Sequence, residues 1–136
     1  MQIPLFKPQT EWLPPENFPD LSKYDEIAID LETKDPDLMK MGSGSVVNKG
    51  DVTGIAVAVP GWSGYYPIAH EGGGNMDRKK VLKWFQGVLD TPADKIFHNA
   101  MYDVCWIQAL GLSVSGKIID TMIASALVDE NQMRYD

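Results

Sequence analysis

Two acidic residues lie one position apart at the end of an apolar run. The stretch "EIAIDLETKDPD" covers residues 26–37, and its apolar "IAI" is followed by Asp30 and Glu32. Side chains at positions i and i+2 of a strand point to the same face, so these two carboxylates are expected to project together. Carboxylate oxygens are the ligands that Mg²⁺ and Mn²⁺ favour, so the pair could bind and share such cations. The alternative interpretation is a strand that simply ends in solvent with polar residues.

A third candidate acid, Asp103, lies in the stretch "FHNAMYDV", residues 97–104. Asn99 and Asp103 are four positions apart, which places both on one face of a helix that begins there. The structural alternative is that Asn99 caps the helix and Asp103 only complements its dipole. Asp103 has mostly apolar neighbours in sequence, and a carboxylate in such surroundings needs a partner, a metal or water. We therefore treat Asp103 as a candidate ligand beside the first pair.

Other polar residues favour structural roles. Asp120 directly precedes the helical pattern "TMIASALV", and aspartate is a preferred N-cap, so capping is favoured over direct catalysis. His70 and His98 are the only histidines, and neither has a second histidine or a cysteine at metal-binding spacing. A zinc site is therefore not expected. His98 is expected to pack at the end of a strand.

The elements that must position these residues follow from hydrophobic periodicity. Five prolines in residues 1–22 predict an extended lead-in, which Trp12 is expected to pin to the body. Apolar and β-branched runs predict strands at 26–33, 52–59, 65–68, 95–98 and 117–120. Helical spacing predicts helices at 77–89, 99–110 and 121–128, with Asn75 capping the first and Gly111 ending the second. Residues 34–51 are predicted to form a loop.

This order predicts an α/β fold with a mixed central sheet. The first three strands follow one another and should form an antiparallel meander. The later strands alternate with helices and should add parallel pairs, with the helices flanking the sheet. Pro67 predicts that the third strand lies at an edge, or that the proline lies at its end.

Composition restricts the class of protein. The 136 residues suit one domain, and a hydrophobic fraction of 44% supports a packed core. The net charge of -7 argues against a free-standing basic nucleic-acid binder, but not against an enzyme that reaches phosphates through divalent cations. Cys105 is the only cysteine, so no intramolecular disulfide is expected. We see neither a signal peptide nor a membrane-spanning stretch, and expect a cytoplasmic protein without a membrane partner.

The combination of "AIDLET", "HNAMYD" and "IIDTMIASALVDEN" resembles the 3′–5′ proofreading exonuclease domain of family A DNA polymerases, within the DnaQ-like (DEDD) superfamily. The resemblance covers the chain from Glu26 to its end. It divides the sequence into a lead-in, 1–22, and the N-terminal part of an exonuclease domain, 23–136. It implies an RNase H-like fold and a site in which four carboxylates hold two Mg²⁺ or Mn²⁺ ions.

Three of the four family carboxylates match this sequence, namely Asp30, Glu32 and Asp103, and the resemblance implies that they are catalytic metal ligands. It implies substrate contacts for Asn99, which matches the family's positioning asparagine, and for Leu31 and Thr33, which match the segment against the terminal nucleotide. Asp120 matches a family aspartate outside the catalytic four, in keeping with a structural role.

The implied reaction is hydrolysis of the 3′-terminal phosphodiester. One ion would activate a water for in-line attack, the other would stabilise the leaving 3′ oxygen, and the product would be a nucleoside 5′-monophosphate. The implied substrates are DNA 3′ ends that are single-stranded or frayed. The implied partner is the remainder of a polymerase, in the cytoplasm of a bacterium or of a virus-infected host cell.

The sequence departs from the family at its end. The third family motif, YxxxD or HxxxxD, is expected on a later helix, whereas this sequence ends in "MRYD" with Tyr135 and Asp136 adjacent. The sequence thus resembles a domain truncated before that motif. We expect the isolated chain to have little or no nuclease activity, because the fourth carboxylate is missing. Two alternatives stay open: a non-catalytic nucleic-acid-binding or structural RNase H-like module, and an RNA-trimming 3′–5′ exoribonuclease.

Overall fold

The computed structural model of the protein describes residues 13–131. The strands in that range are β1 (Glu26–Lys34), β2 (Asp51–Val59), β3 (Trp62–Pro67), β4 (Asp94–Phe97) and β5 (Ile118–Asp120). The helices are α1 (Leu38–Met41), α2 (Arg78–Asp90), α3 (Ala100–Ala109) and α4 (Thr121–Val128).

The strands form one mixed sheet in the order β3-β2-β1-β4-β5. β1 pairs antiparallel with β2, and β2 pairs antiparallel with β3, which gives the predicted meander. β4 runs parallel to β1, and β5 runs parallel to β4. The predicted α/β fold with a mixed sheet is confirmed, and it puts β1, the strand with the paired acids, at the centre.

Alternation along β1 separates the core from the candidate site. Ile27, Ile29 and Leu31 are buried, whereas Asp30 and Glu32 are exposed on the opposite face. This is the period of two that a strand imposes on its side chains. The buried face joins a core to which α2 and α3 contribute Val81, Phe85, Val88, Leu89, Trp106 and Ile107.

The start of α2 differs from the prediction. Asp77, not Asn75, is the N-cap, and its Oδ1 accepts a hydrogen bond from the backbone N–H of Lys80 at 3.2 Å. Asn75 is instead used by the preceding loop. Its side chain accepts from the backbone N–H of His70 at 2.7 Å and donates to the backbone carbonyl of His70 at 2.9 Å.

Three further differences concern the loops and strand ends. The predicted loop at 34–51 contains the short helix α1, and β3 begins at Trp62 rather than at residue 65. Pro67 ends β3, an edge strand, as predicted. The expectation that His98 packs at the strand end is wrong, because His98 is exposed and its Nδ1 is hydrogen-bonded to Oγ1 of Thr121 at 2.9 Å.

The described part of the lead-in, 13–22, lacks helix and strand, and packs against β3 and α2. Phe18 stacks on Tyr66 with ring centroids 5.6 Å apart, and Nε1 of Trp84 donates to the carbonyl of Pro19 at 2.8 Å. The predicted anchor, Trp12, lies outside the described residues. Within 13–131, no helix combines the length and apolar character needed to cross a membrane.

Lys95 on β4 is a fully buried cation. Its Nζ donates to the backbone carbonyls of Thr91 at 2.6 Å, Ala93 at 2.8 Å and Ser115 at 2.7 Å. An ammonium group has three donors, so these bonds satisfy it completely. The lysine thereby joins the chain before β4 to the chain before β5.

Candidate active site

The site begins on the exposed face of β1. Asp30 and Glu32 both lie on that face, as the alternation of the strand predicts. The pairing register with β2 shifts between Glu32 and Thr33, directly after the second acid, and pairing then continues to Lys34. This position gives both carboxylates access to solvent while the backbone that carries them lies in the middle of the sheet.

Asp103 reaches the same region from α3. It lies in the first turn of the helix and is only 4% exposed. Its Oδ2 atom is buried and has no hydrogen-bond partner among the described residues. A buried charged oxygen without a partner is energetically costly, so the site favours either a proton or a cation at this position.

The pKa of Asp103 reports this environment. Burial, together with the negative charge of Asp30, raises the pKa to about 7, while a backbone hydrogen bond from Leu31 opposes the rise. The charge of Asp120 makes a smaller contribution in the same direction as that of Asp30. The helix and the central strand therefore bring Asp103 and Asp30 close enough to repel each other.

The donor set fits a hard divalent cation. Asp30 and Asp103 offer carboxylate oxygens, and the unpartnered oxygen of Asp103 is the group that a cation would neutralise. Across residues 13–131 no three histidine, cysteine or acidic side chains are grouped closely enough to hold one ion. Asp103 lies close enough to Asp30 for their charges to interact, and Glu32 contacts Tyr65 and His70.

The partners of Glu32 are Tyr65 and His70. The hydroxyl of Tyr65 donates to Oε2 of Glu32 at 2.8 Å and lies 2.5 Å from Nε2 of His70. Nε2 of His70 is itself 3.7 Å from the same Oε2 atom. Burial raises the pKa of Tyr65, and the hydrogen bond to Glu32 raises it to a smaller extent. The hydroxyl therefore stays protonated and acts as a donor.

Asp120 joins the starts of two helices. Its Oδ1 accepts from the backbone N–H of Met122 at 3.0 Å, which makes it the N-cap of α4, the role that the sequence favours. The same carboxylate accepts from the N–H groups of Asn99 at 3.0 Å and Ala100 at 2.8 Å. Burial acts to raise the pKa of Asp120, but backbone hydrogen bonds, including those from Ala100, Asn99 and Met122, outweigh it, and the pKa is lowered.

Asn99 has an unusual backbone conformation at the start of α3. Its φ of 65° and ψ of 62° are left-handed, a region in which asparagine is enriched among non-glycine residues. The exposed side chain makes no capping hydrogen bond, because Asp120 takes over that task. The amide of Asn99 is therefore left without a capping role at the start of the helix whose first turn carries Asp103.

The two remaining predicted contacts have different environments. Oγ1 of Thr33 is 2.8 Å from the hydroxyl of Tyr102, which also donates to Oδ2 of Asp35 at 3.2 Å. Leu31 is 7% exposed and belongs to the core, so its side chain lies on the face opposite Asp30. What Leu31 presents to the site is its backbone.

An open cleft of about 650 Å³ lies beside these residues. It runs over the sheet face that carries Asp30 and is lined by small and apolar residues together with Tyr65, His98 and Thr121. Asp30 is the acid on its wall, so a ligand in this cleft would reach the carboxylate region from the side of the sheet.

Tyr65 and His70 were missed by reasoning from the sequence. From the sequence, Tyr65 is an ordinary strand residue, and His70 has no second histidine or cysteine at metal-binding spacing. The contact with Glu32 depends on the pairing register of three strands, which is a long-range property. The available signal was the placement of Gly54, which leaves space in the middle strand beside a tyrosine on the next strand.

Comparison with known proteins shows which family the sequence matches. Residues 7–136 match the family model described as 3′–5′ exonuclease. This range includes all seven residues singled out in the sequence: Asp30, Leu31, Glu32, Thr33, Asn99, Asp103 and Asp120.

The curated relatives are polymerases. The sequence is 35% identical over 143 residues to a DNA-directed DNA polymerase of Pseudomonas phage M6, an alignment that covers 99% of this chain and 22% of the relative. It is 31% identical over 84 residues to DNA polymerase I of Chloroflexus aurantiacus, covering 60% of this chain and 9% of that protein. The chain therefore spans about a fifth or less of the length of these relatives.

Solved structures support the fold. A structure described as Brucella melitensis NrnC with bound Mg²⁺ superposes with a TM-score of 0.56 and 21% sequence identity. The alignment covers 86% of this chain and 51% of NrnC. At this identity the similarity establishes a shared fold, in agreement with the DnaQ-like α/β architecture expected from the sequence.

Proposed function

The chain belongs to the 3′–5′ exonuclease family, which is related to family A DNA polymerases, and we propose that it carries metal-binding carboxylates of a proofreading site. In this proposal Asp30, Glu32 and Asp103 are catalytic and bind Mg²⁺ or Mn²⁺ for hydrolysis of the 3′-terminal phosphodiester of DNA. The observation that carries the proposal is the buried Oδ2 of Asp103, which has no hydrogen-bond partner among the described residues and is repelled by the negative charge of Asp30.

The carboxylates have distinct tasks. When bound, divalent cations lower the pKa of a water molecule and stabilise charge on the leaving oxygen. Asp30, on the central strand, supplies oxygens from a rigid position. Asp103 supplies a buried oxygen that has no hydrogen-bond partner among the described residues and whose negative charge a cation would balance. Glu32 supplies an oxygen at the mouth of the site, where the terminal 3′-hydroxyl would be held.

Substrate positioning is assigned to residues around the start of α3. The amide of Asn99, which makes no capping bond, is proposed to bind the terminal nucleotide. The segment from Leu31 to Thr33 is proposed to lie against the same nucleotide, through the backbone of Leu31 and the side chain of Thr33. Asp120 fixes the backbone of Asn99 and so acts by positioning.

Charge supports a requirement for cations in substrate binding. The net charge of -7 repels a polyphosphate chain, and divalent ions bound to the carboxylates would reverse the local sign. Single-stranded or frayed 3′ ends of DNA are the proposed substrate, because a terminal nucleotide must leave its stack to reach the carboxylates. The remainder of a polymerase is the proposed partner, and the cytoplasm the proposed location.

The test is 3′ degradation of single-stranded DNA that is labelled at its 5′ end. Because the chain spans 22% of the phage M6 polymerase, the assay tests this chain beside a version extended by the segment that follows the aligned region in that polymerase. We expect a ladder of 3′-shortened products and nucleoside 5′-monophosphates with Mg²⁺, and a loss of activity by orders of magnitude in Asp30→Ala. Little or no activity is expected of the 136-residue chain alone.

The matched control is Glu26→Ala, which removes an exposed acid from the same face of β1 outside the site. Its activity should equal that of the wild type. Equal activity of Asp30→Ala and wild type would refute the proposal. Degradation of RNA but not of DNA would assign the activity to the exoribonuclease class instead.

A further inference from the structure

Tyr65 reaches Glu32 across an intervening strand. Tyr65 lies on the edge strand β3, Glu32 lies on β1, and β2 runs between them. The tyrosine nevertheless donates its hydroxyl hydrogen to Oε2 of Glu32 at 2.8 Å. A side chain that crosses a neighbouring strand must lie flat over it, so the residue of β2 beneath the ring has to leave room.

Gly54 leaves that room. The strand register pairs Glu32 with Gly54 and Ala56 with Tyr65, so the ring passes diagonally over Gly54. A Cβ atom at Gly54 would lie 1.9 Å from the Tyr65 hydroxyl oxygen and 2.3 Å from the adjacent ring carbon. Gly54 is not among the glycines with positive φ, so the backbone conformation does not require a glycine. The space for the tyrosine does.

His70 fixes the tyrosine from the other side. Its Nε2 lies 2.5 Å from the Tyr65 hydroxyl, and the two rings meet edge to face with centroids 5.8 Å apart. The loop that carries His70 is closed by the two hydrogen bonds between Asn75 and the His70 backbone. An ion pair between Lys34 and Glu71 ties this loop to the end of β1.

We propose that Tyr65 is a positioning residue that orients the Glu32 carboxylate for metal binding, with His70 holding the tyrosine and Gly54 giving it passage. The inference rests on the proposed function, because it takes Glu32 as a metal ligand. The hydrogen bond uses Oε2, and a carboxylate so held presents its second oxygen in one direction. Hydrogen-bonded partners of metal-ligating carboxylates orient the ligand and commonly change metal affinity by about 10–100-fold.

Glu32 needs such a partner more than the other two acids do. The Asp103 side chain is buried, and the Asp30 side chain is short, so both have few accessible rotamers. The Glu32 side chain is 60% exposed and has one more rotatable bond than an aspartate. Without Tyr65 an exposed glutamate would sample many rotamers, and binding a cation would require ordering it. A fixed Glu32 has this ordering cost removed before the cation arrives.

The experiment is a Mn²⁺ titration of this chain by isothermal calorimetry or by electron paramagnetic resonance of free Mn²⁺. Tyr65→Phe removes only the hydroxyl and should weaken Mn²⁺ binding by about 10-fold or more. Its thermal unfolding midpoint in EDTA should stay near that of the wild type. The matched control is Tyr66→Phe, which removes a hydroxyl that donates to the carbonyl of Asn17, away from the site. Its Mn²⁺ affinity should be unchanged.

A double-mutant cycle separates positioning from general damage. Gly54→Ala should also weaken Mn²⁺ binding, because the added methyl displaces the Tyr65 ring. Combined with Tyr65→Phe, it should add little, since the contact is already lost. If Tyr65→Phe lowers the unfolding midpoint, His70→Ala carries the test, because it removes the partner that holds the Tyr65 hydroxyl and should also weaken Mn²⁺ binding.

The outcomes distinguish the two proposals. Mn²⁺ binding that Asp30→Asn abolishes, but that neither Tyr65→Phe nor Gly54→Ala changes by more than about twofold, overturns the positioning role and leaves the proposed function standing. Additive effects of the two substitutions would also overturn it, because they would then act independently. Absence of Mn²⁺ binding that depends on Asp30 counts against the proposed function, and the positioning role fails with it.

Discussion

At the scale of single residues, Asp103 carries most of the information. A carboxylate that is 4% exposed, has an unpartnered oxygen and lies under the charge of Asp30 is poorly explained as a structural residue. Structural acids in this protein are satisfied, as Asp120 and Asp77 are by backbone N–H groups. The contrast between these satisfied caps and the unpartnered oxygen of Asp103 is the reason for proposing Asp103 as a metal ligand.

The raised pKa of Asp103 predicts how the metal-free protein responds to pH. Its pKa moves from 3.8 to about 7, so between these values the folded chain holds a proton that the unfolded chain has released. The contribution of Asp103 to the free energy of unfolding should therefore fall as the pH rises from about 4 to about 7. Asp103→Asn removes this dependence, and its stability relative to the wild type should rise by about 2–4 kcal/mol over that interval.

Urea unfolding in EDTA at pH 5 and pH 8 measures the effect. Groups that titrate in both proteins cancel in the difference between wild type and Asp103→Asn. Glu26→Gln, on the exposed face of the same sheet, is the control and should show the pH dependence of the wild type. If Asp103→Asn also follows the wild type at both pH values, Asp103 does not have the raised pKa.

At the scale of secondary-structure elements, two polar side chains fix how the parts of the site meet. Asp120 caps α4 and also receives the first N–H groups of α3, so the two helices start from one carboxylate. Lys95 ties the segment before β4 to the segment before β5 through three carbonyls. Together they hold the parallel half of the sheet, from which Asn99 and Asp103 extend.

The role of Lys95 predicts a large loss of stability on removal of its charge. Lys95→Met keeps most of the stem but leaves three carbonyl groups without their shared donor. The free energy of unfolding should fall by about 2–4 kcal/mol, the usual effect of unsatisfied buried polar groups. Lys79→Met on the exposed side of α2 is the control and should change stability by less than about 0.5 kcal/mol. Chemical denaturation measures both, and equal stabilities of the two variants would contradict this role.

Local sequence patterns predicted the strands and helices, but they did not predict the contacts between residues far apart in the sequence. The alternation of β1 and the spacing in α2 follow from burial of one face, so residues in sequence suffice to predict them. The choice of Asp77 over Asn75 as N-cap depended on which polar residue the neighbouring loop needed. Burial of Lys95 could not be foreseen, because its three acceptors come from two separate segments. The reach of Tyr65 to Glu32 likewise depends on strand register.

At the scale of the whole molecule, an acidic chain carries the proposed site for an even more acidic substrate. The net charge of -7 would disfavour nucleic acid unless cations intervene, and the carboxylates of β1 and α3 are where cations would do so. The family match over residues 7–136 agrees with this proposal. The proposed function requires that Asp30 and Asp103 bind one divalent cation together.

Anomalous diffraction from crystals soaked in Mn²⁺ shows whether the two carboxylates share an ion. We expect a difference peak at bonding distance from carboxylate oxygens of both Asp30 and Asp103, with the second oxygen of Glu32 directed toward it. The peak should disappear in Asp30→Asn crystals grown and soaked in the same way. Mn²⁺ peaks elsewhere on the molecule, with Asp103 still unpartnered at full soaking, would rule out a cation shared by Asp30 and Asp103.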